Sequence, residues 1–570
     1  MTHEPRDGEG AAALSRRRFL GGVGGAAAAA VAASALPFEP LLGKAAAAET
    51  VPIEQGGPST GSSRVEQAFQ IRLDAAQAER ARPVEAHVTN GDEERWPNRI
   101  GNYHKSLPHN QFGEVDPAAW AAMKKALGSG DPDDFDAIPI GGPNRLTNPQ
   151  SGLAFDLQGV DGHCLAIPPA PALSSAREAA EAVELYWMSL LRDVNFLDYE
   201  SSDLVAQAAA ELSRLPEYRG LRVNGQVTPR MLFRDPIVGT RTGPLISQFL
   251  WRGTPYGAEY VQRHIRTVLP GQDHATQYED WLRLQNGQLT SDRGFHDPVR
   301  RYIRNGRDIA EWVHVDELFQ AYLNACLILV QPPDPMDGVT GGGIACPTNP
   351  GNPYKHSKNQ IGFATFGAPH FKTLMCEVAT RALKATWFQK WFVHRRLRPE
   401  AFGGLVHHQR TSNRYPGVLH DDILSSQAVD AVFSKFGTYL LPQAFPEGCP
   451  THPAYSAGHA TVGGACVTIL KALFDERFEL RTAFVPSADG LTLERYDGPP
   501  LTVGGELNKL ASNIATSRNM AGVHWRTDAI ESLRLGERIA ISVLQDQKAC
   551  YGERFSGFTF TLFDGTSVTV

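Results

Sequence analysis

Three short segments in the C-terminal half of the chain collect cations and imidazoles at spacings that suit anion chemistry. In Thr386–Pro399, TWFQKWFVHRRLRP, Lys390, His394 and Arg398 recur every fourth residue and Trp387 precedes Lys390 by three. On a helix that spacing puts all of them on one face. The residue before a proline is pushed out of the α region, so this helix is expected to end at Pro399. Cations aligned in this way repel one another, and an anion among them would remove the repulsion. For such a cluster alone, a solvated basic face is the commonplace alternative. The second segment is HPAYSAGHA, His452–Ala460, a turn of small residues running into the apolar stretch Thr461–Phe474. A helix start there points backbone N–H groups and a positive dipole end outward, which suits a phosphate-like oxyanion. Gly458 lets the backbone approach closely. The third is SRNMAGVHWRTD, Ser517–Asp528, with Arg518 near the end of one helix and His524 near the start of the next. Asp528 follows His524 by four residues, placed to accept its second ring proton and fix the tautomer.

Together the segments supply three cations, a helix N-terminus and two or three histidines. The ordered pattern K-x7-R-P, then G-H at a helix start, then S-R-x5-H-x3-D resembles the superfamily of vanadium haloperoxidases and type 2 phosphatidic acid phosphatases. The pieces KWFVHRRLRPEAFGG, HPAYSAGHA and SRNMAGVHWRTD are most similar to the algal bromoperoxidase branch and its bacterial relatives. A weaker likeness extends to GFATFGAPHF at 362–371 and NRIGNYHKSLPHNQFGEVDP at 98–117.

The resemblance implies a vanadate cofactor bound through His524. Lys390, Arg398 and Arg518 would neutralise its oxygens, the Gly458 N–H would donate to one of them, and His459 would hydrogen-bond the apical hydroxide. Lys390, His459 and His452 would be the catalytic set, with His452 at the position of a histidine typical of brominating members. Trp387, His394, Ser456 and Asp528 would stand behind them. Hydrogen peroxide and bromide or iodide, with chloride used poorly, would yield hypohalous acid for a small organic acceptor. The alternatives are an acid phosphatase of the same superfamily with His524 as nucleophile, and an inactive oxyanion-binding relic. One position departs from the family: the serine before the Gly-His pair is Ala457, and a serine stands one place earlier at Ser456.

The elements that must carry these residues are mostly helical. Apolar periodicity predicts helices over Val65–Arg82, Pro117–Leu127, Ser175–Val194, Leu204–Leu215 and Asp316–Val330, with later ones starting near Ala368, Gly458 and Thr527. The tail alternates around Asp564-Gly565 and reads as a hairpin of Phe558–Phe563 with Thr566–Val570. The expected fold is mainly α, a haloperoxidase/acid phosphatase-like set of helical bundles with a short C-terminal β-hairpin. The expected organisation is a leader over 1–48, an N-terminal helical region over 49–340, a vanadate-binding bundle over 341–555 and the hairpin over 556–570. The stretch rich in glycine, proline and asparagine, Pro332–Pro353, is expected to be a boundary or a long functional loop.

The leader has Ser15-Arg16-Arg17-Arg18-Phe19-Leu20, a weakly apolar run to Leu36 and an Ala-rich stretch before Glu49. This fits a cleaved twin-arginine signal and export to the periplasm or beyond. A net charge of −7 over 570 residues gives no counterion-displacing excess for nucleic acid, and a mean hydropathy of −0.28 fits a globular chain. The seven cysteines show no Cys-x-x-Cys pair; Cys376 and Cys466 fall in apolar helical patterns and are expected in the core, and export would permit disulfides. A homo-oligomer is expected from the resemblance alone.

Overall fold

Ten helices of eleven residues or more build the described part of the chain. They are α1 (Ser62–Ala81), α2 (Pro117–Ser129), α3 (Ala176–Leu190), α4 (Asp203–Arg214), α5 (Gln320–Val330), α6 (Ala368–Phe388), α7 (Pro399–Ser412), α8 (Gly458–Leu473), α9 (Val503–Met520) and α10 (Arg526–Cys550). Three antiparallel hairpins join them: β1 (Thr254–Tyr256) with β2 (Glu259–Val261), β3 (Phe484–Pro486) with β4 (Leu493–Arg495), and β5 (Thr559–Thr561) with β6 (Ser567–Thr569). The computed structural model describes residues 62–290 and 294–570, so the leader expected over 1–48 lies outside the described residues. Two compact units are resolved, up to Asp74 and from Ala75 onward. The first is represented by the opening residues of α1; everything below belongs to the second.

The mainly helical expectation holds, and local chemistry explains the helix ends. Ser175 caps α3 by accepting from the Glu178 N–H, and Thr502 caps α9 by accepting from Gly505, each satisfying an orphan donor of the first turn. Leu215, held extended before Pro216, stops α4. The terminal hairpin pairs Thr559 with Thr569. Among the seven cysteines none is disulfide-bonded; Cys466 is buried and Cys376 is half-buried against the core.

One helical expectation fails where it matters. The helix entering TWFQKWFVHRRLRP widens into a π-helical turn over Gln389–His394 and stops at Arg395, which takes the left-handed conformation at φ 44°. Arg398 is extended (φ −79°, ψ 150°) and caps α7, whose first residue is Pro399. The proline therefore opens a helix, as its fixed φ and missing N–H allow, and does not close one. Lys390, His394 and Arg398 do not share a helix face. The expected Asp316–Val330 helix is also shorter, starting at Gln320 and leaving Asp316 in the preceding loop.

The core has two large apolar clusters. One runs from Val160 to Val570 through α5, α6, α8, α9 and α10, and is continuous across the 332–353 loop. The other gathers α3, α4 and α7 with Ala454, Met520 and Trp525. Helix α8 is the axis of the first, with every residue from Ala460 to Leu473 buried. It packs so closely on α10 that a Cβ on Gly464 would lie 2.0 Å from the Leu533 carbonyl oxygen, and one on Gly536 would lie 2.0 Å from that of Thr461. Backbone-to-backbone contact of this kind fixes the N-termini of α8 and α10 relative to each other, and those two ends carry Gly458-His459 and His524. Gly536→Val forces the helices apart and is expected to cost at least about 1–3 kcal/mol, the usual penalty of overpacking. Urea denaturation at neutral pH checks it; an unchanged midpoint would show that the crossing tolerates a side chain.

Candidate functional site

Lys390, Arg398 and Arg518 reach the seam between the two core clusters from three separate elements. Lys390 leaves the π-turn after α6, Arg398 the cap of α7, and Arg518 the last turn of α9. All three are buried, at 0%, 1% and 6% exposure, and none forms an ion pair with a carboxylate among the described residues. Backbone carbonyls hold them instead. Lys390 Nζ donates to Pro453 O (2.6 Å) and Ala454 O (3.0 Å). Arg398 Nε donates to His452 O (2.8 Å) and its Nη1 to Val523 O (2.6 Å). Arg518 Nη1 donates to Val313 O (2.5 Å), its guanidinium lies over the Phe445 ring, and its buried Nε has no partner among the described residues.

Burial acts on all three, and repulsion from Arg398 adds to it on Lys390 and Arg518. Burial, then Arg398, drives the Lys390 ammonium well below its ordinary value. Burial likewise lowers Arg398 and pulls Arg518 down to about 10. A bound anion would reverse these shifts by favouring the charged forms.

Two histidines contact Arg398. A guanidinium only donates, so the bonds from Nη1 to His524 Nε2 (3.1 Å) and from Nη2 to His452 Nδ1 (2.9 Å) make both ring nitrogens acceptors. His524 Nδ1 then carries the proton and donates to Asp528 Oδ2 (2.8 Å). The expected tautomer lock is present, and the Nε2 lone pair is directed at the cations. Asp528 also accepts from the Trp525 N–H, capping its own helix. The His452 ring lies against Trp387 at 4.9 Å, tilted by 41°, and Trp387 lies under Lys390 Nζ at 5.8 Å. The carbonyl of Pro453, 3.3 Å from His452 Nδ1, cannot receive a proton from a nitrogen that accepts from Arg398. Burial, then Lys390 and Arg398, keeps His452 neutral with a value well below the usual imidazole range.

His459 faces a carboxylate from outside the three segments. Its Nε2 bonds Asp316 Oδ1 at 3.0 Å, leaving Nδ1 as the ring atom available to an anion. Burial works against ionisation of Asp316, but His459 and Arg518 outweigh it and hold the carboxyl below its ordinary value. Burial lowers His459, and Asp316 opposes that shift. His394 lies apart from this group, against Tyr455 at 4.8 Å with its value pushed down to about 3 by burial.

The loop before α8 supplies donors. Ala457 is the N-cap and provides no side-chain cap; its own N–H donates to Ser532 Oγ of α10 (2.8 Å). The Ser456 hydroxyl is buried without a partner among the described residues. The N–H groups of the first turn at Gly458 lack intrahelical acceptors, as at any helix start. A Cβ on Gly458 would meet Trp387 and Leu383 at ordinary distances of 3.5 and 3.6 Å, so the glycine keeps space clear beside Trp387 and relieves no clash within the protein.

Sequence reading missed four contributors. Asp316 was hidden as an apparent helix start. Ser532 lies in an ordinary helical pattern. Arg396 donates to Asp528 Oδ1 (2.7 Å) and bonds Glu178 and Glu181 of α3, holding the far side of the carboxylate that orients His524. Glu178, at the centre of that buried group, is raised to about 8, mainly by burial. None of these pairings has a local sequence signature.

This donor set fits a tetrahedral oxyanion. It offers buried cations, an orphaned guanidinium N–H, helix-start N–H groups and the unprotonated Nε2 of His524; among the described residues no group of three or more His, Cys, Asp or Glu is placed to hold a metal cation.

Comparison with known proteins agrees. Residues 373–553 match the family model described as the VCPO second helical-bundle domain. The chain is 35% identical to a vanadium-dependent bromoperoxidase of Corallina officinalis over 89% of its own length and 98% of that protein's. This chain belongs to the vanadium-dependent bromoperoxidase family. A second relative, the vanadium-dependent bromoperoxidase of Ascophyllum nodosum, is also 35% identical, with 89% of this chain and 92% of that one covered. The homohexameric structure of the second vanadate-dependent bromoperoxidase from Ascophyllum nodosum superposes with a TM-score of 0.82 at 29% identity, covering 92% of this chain and 95% of that one.

Inorganic phosphate is expected to raise the thermal midpoint of the protein in a concentration-dependent way, since a ligand bound only to the folded state stabilises it by mass action. Arg398→Met removes the fork that joins the two loops and should abolish the phosphate effect. A phosphate shift of equal size in the variant would place the anion elsewhere.

Proposed function

We propose that this chain is a vanadate-dependent haloperoxidase that oxidises bromide and iodide with hydrogen peroxide, and chloride poorly, releasing hypohalous acid to a small organic acceptor. The observation that carries it is the convergence of three buried cations, none paired with a carboxylate, on an imidazole whose free nitrogen is fixed by Asp528. The overall reaction, X⁻ + H₂O₂ + H⁺ → HOX + H₂O, consumes one proton.

Bound through His524, vanadate would supply a Lewis acid that activates peroxide toward halide without a change in metal oxidation state. Lys390, Arg398 and Arg518 would hold the oxyanion and stabilise negative charge that develops on its oxygens, preorganised by the carbonyls that already fix them. The Gly458 N–H would add a donor. His459 has Asp316 to stabilise an imidazolium, so it would deliver and take up the proton at the mouth of the site. His452, neutral with its proton on Nε2, would present a donor toward the halide side. Trp387 would exclude water from the space between Lys390 and His452.

We also propose a homo-oligomeric state, supported by the homohexameric relative, and export by the twin-arginine route, supported by Ser15–Leu20.

Orthovanadate added to the metal-free protein is expected to restore bromide oxidation, with phosphate competing. His524→Ala should abolish vanadate binding by equilibrium dialysis, and Asp528→Asn should weaken it about 10–100-fold, the usual loss for a group that orients a ligand. Equal and negligible losses would remove His524 from the ligand role.

Halide choice is expected to follow His452 and Ala457. His452→Phe should raise the chloride-to-bromide ratio of kcat/KM in steady-state halogenation of a phenolic indicator. Ala457→Ser should tighten vanadate binding by restoring a hydroxyl at the helix cap. Efficient wild-type chlorination that neither variant alters would show that these positions do not set the halide limit.

A further inference from the structure

A second candidate binding site lies where the 195–200, 229–234 and 243–246 segments meet the β3–β4 hairpin. There an open cavity of about 540 Å³ falls within the size range of small-molecule sites. Its wall is apolar: Leu232, Ile246 and Trp251 are buried, and Phe196, Leu245 and Tyr496 pack half-buried around them. A narrow cleft sharing Phe196, Arg234, Leu245 and Ile246 continues to Ser517 and Met520 of α9.

Four guanidinium groups border the cavity, those of Arg230, Arg234, Arg304 and Arg495. Arg304 is neutralised by Asp308 at 2.9 Å. Arg230 and Arg495 are exposed and form no ion pair among the described residues, nor do the two exposed acids of the rim, Glu200 and Asp497. Arg234 differs from all of these. It is 6% exposed and donates only to the carbonyls of Arg230 (2.9 Å), Thr240 and Gly243 (3.0 Å). These bonds use three of its five N–H groups and provide no counter-charge. Burial, then the neighbouring Arg230, pulls it down to about 10. Glu506 and Glu200 oppose that shift only from a distance; a buried charge with no ion pair among the described residues is costly, and an organic anion entering the cavity would compensate it while covering the apolar wall.

We propose that this cavity binds a small aromatic carboxylate, its ring against Leu245, Trp251 and Tyr496 and its charge compensating Arg234 and Arg495. The site is separate from the oxyanion site and does not depend on the function proposed for it. The ligand is recognised by charge and ring together, so a neutral molecule of the same shape must bind less well.

Isothermal titration of the vanadate-saturated protein with 2-naphthoate tests it, because vanadate blocks the other cation cluster. We expect one naphthoate per chain, and binding of 2-naphthylmethanol at least ten-fold weaker. Leu245→Trp should fill the cavity and abolish binding, and Arg495→Gln should weaken it about three-fold. Both variants should retain wild-type bromide oxidation. Arg234→Gln should weaken binding ten-fold or more; if it does not fold, the other two variants decide. Equal affinity for the alcohol, or binding unchanged by Leu245→Trp, overturns the proposal. So does an absence of binding, whether a second copy of the chain covers the cavity or its arginines are not available.

Discussion

Three cations buried at one seam, none paired with a carboxylate among the described residues, set the terms for the structure around them. A charge taken out of water needs compensation, and the protein offers only partial compensation, as carbonyl dipoles of Pro453, Ala454, His452, Val523 and Val313. Such carbonyls must come from irregular backbone, because those inside helices are already bonded. The site is therefore built where helices stop: the π-turn after α6, the cap of α7, the entry to α8 and the link between α9 and α10. The tight α8–α10 crossing at Gly464 and Gly536 makes those loose ends rigid enough to converge. The remaining charge imbalance is what an oxyanion completes.

Negative charge is present nearby, held one layer back. Asp528 stands behind His524 and faces Arg396, which in turn meets Glu178 and Glu181 of α3. Arg526 repeats the arrangement with Glu184 and Asp235. The three glutamates follow each other every third residue on α3, so one buried helix face anchors both arginines. This layer orients the imidazole through Asp528 while its own carboxylates form no ion pair with Lys390, Arg398 or Arg518.

Much of this was legible in the sequence, and the parts that were not share a cause. Lys390, Arg398, Arg518, His524 and Asp528 were found because each lies in a short segment whose internal spacing is informative, and the His524–Asp528 contact is local. The helices were legible because long apolar periodicity is dominated by burial. The shared helix face of Lys390 and Arg398 was read wrongly because Pro399 is compatible with either end of a helix; the left-handed Arg395 that decides the matter has no marker such as glycine. Asp316, Ser532, Arg396 and Glu178 act through partners far away in sequence, from 75 residues for Ser532 and Ala457 to 218 for Arg396 and Glu178. Single-sequence periodicity carries no information about such pairs. His394 shows the converse: its spacing from Lys390 was regular, yet the π-turn carries it to Tyr455.

The two histidines at the mouth of the site, both only half-buried, receive opposite electrostatic surroundings. His452 accepts from a guanidinium and lies beside Lys390, so a proton on its Nδ1 would displace the Arg398 bond and add a fourth positive charge. His459 faces Asp316, whose carboxyl is held ionised, so the same proton on His459 forms an ion pair. Burial lowers both imidazoles, but only His459 has a carboxylate that opposes the shift, while Lys390 and Arg398 push His452 further down. That difference comes from which loop each ring faces, Arg398 on one side and the residues before α5 on the other. It explains why an aspartate outside all three motifs belongs to the site as fully as the histidines within them.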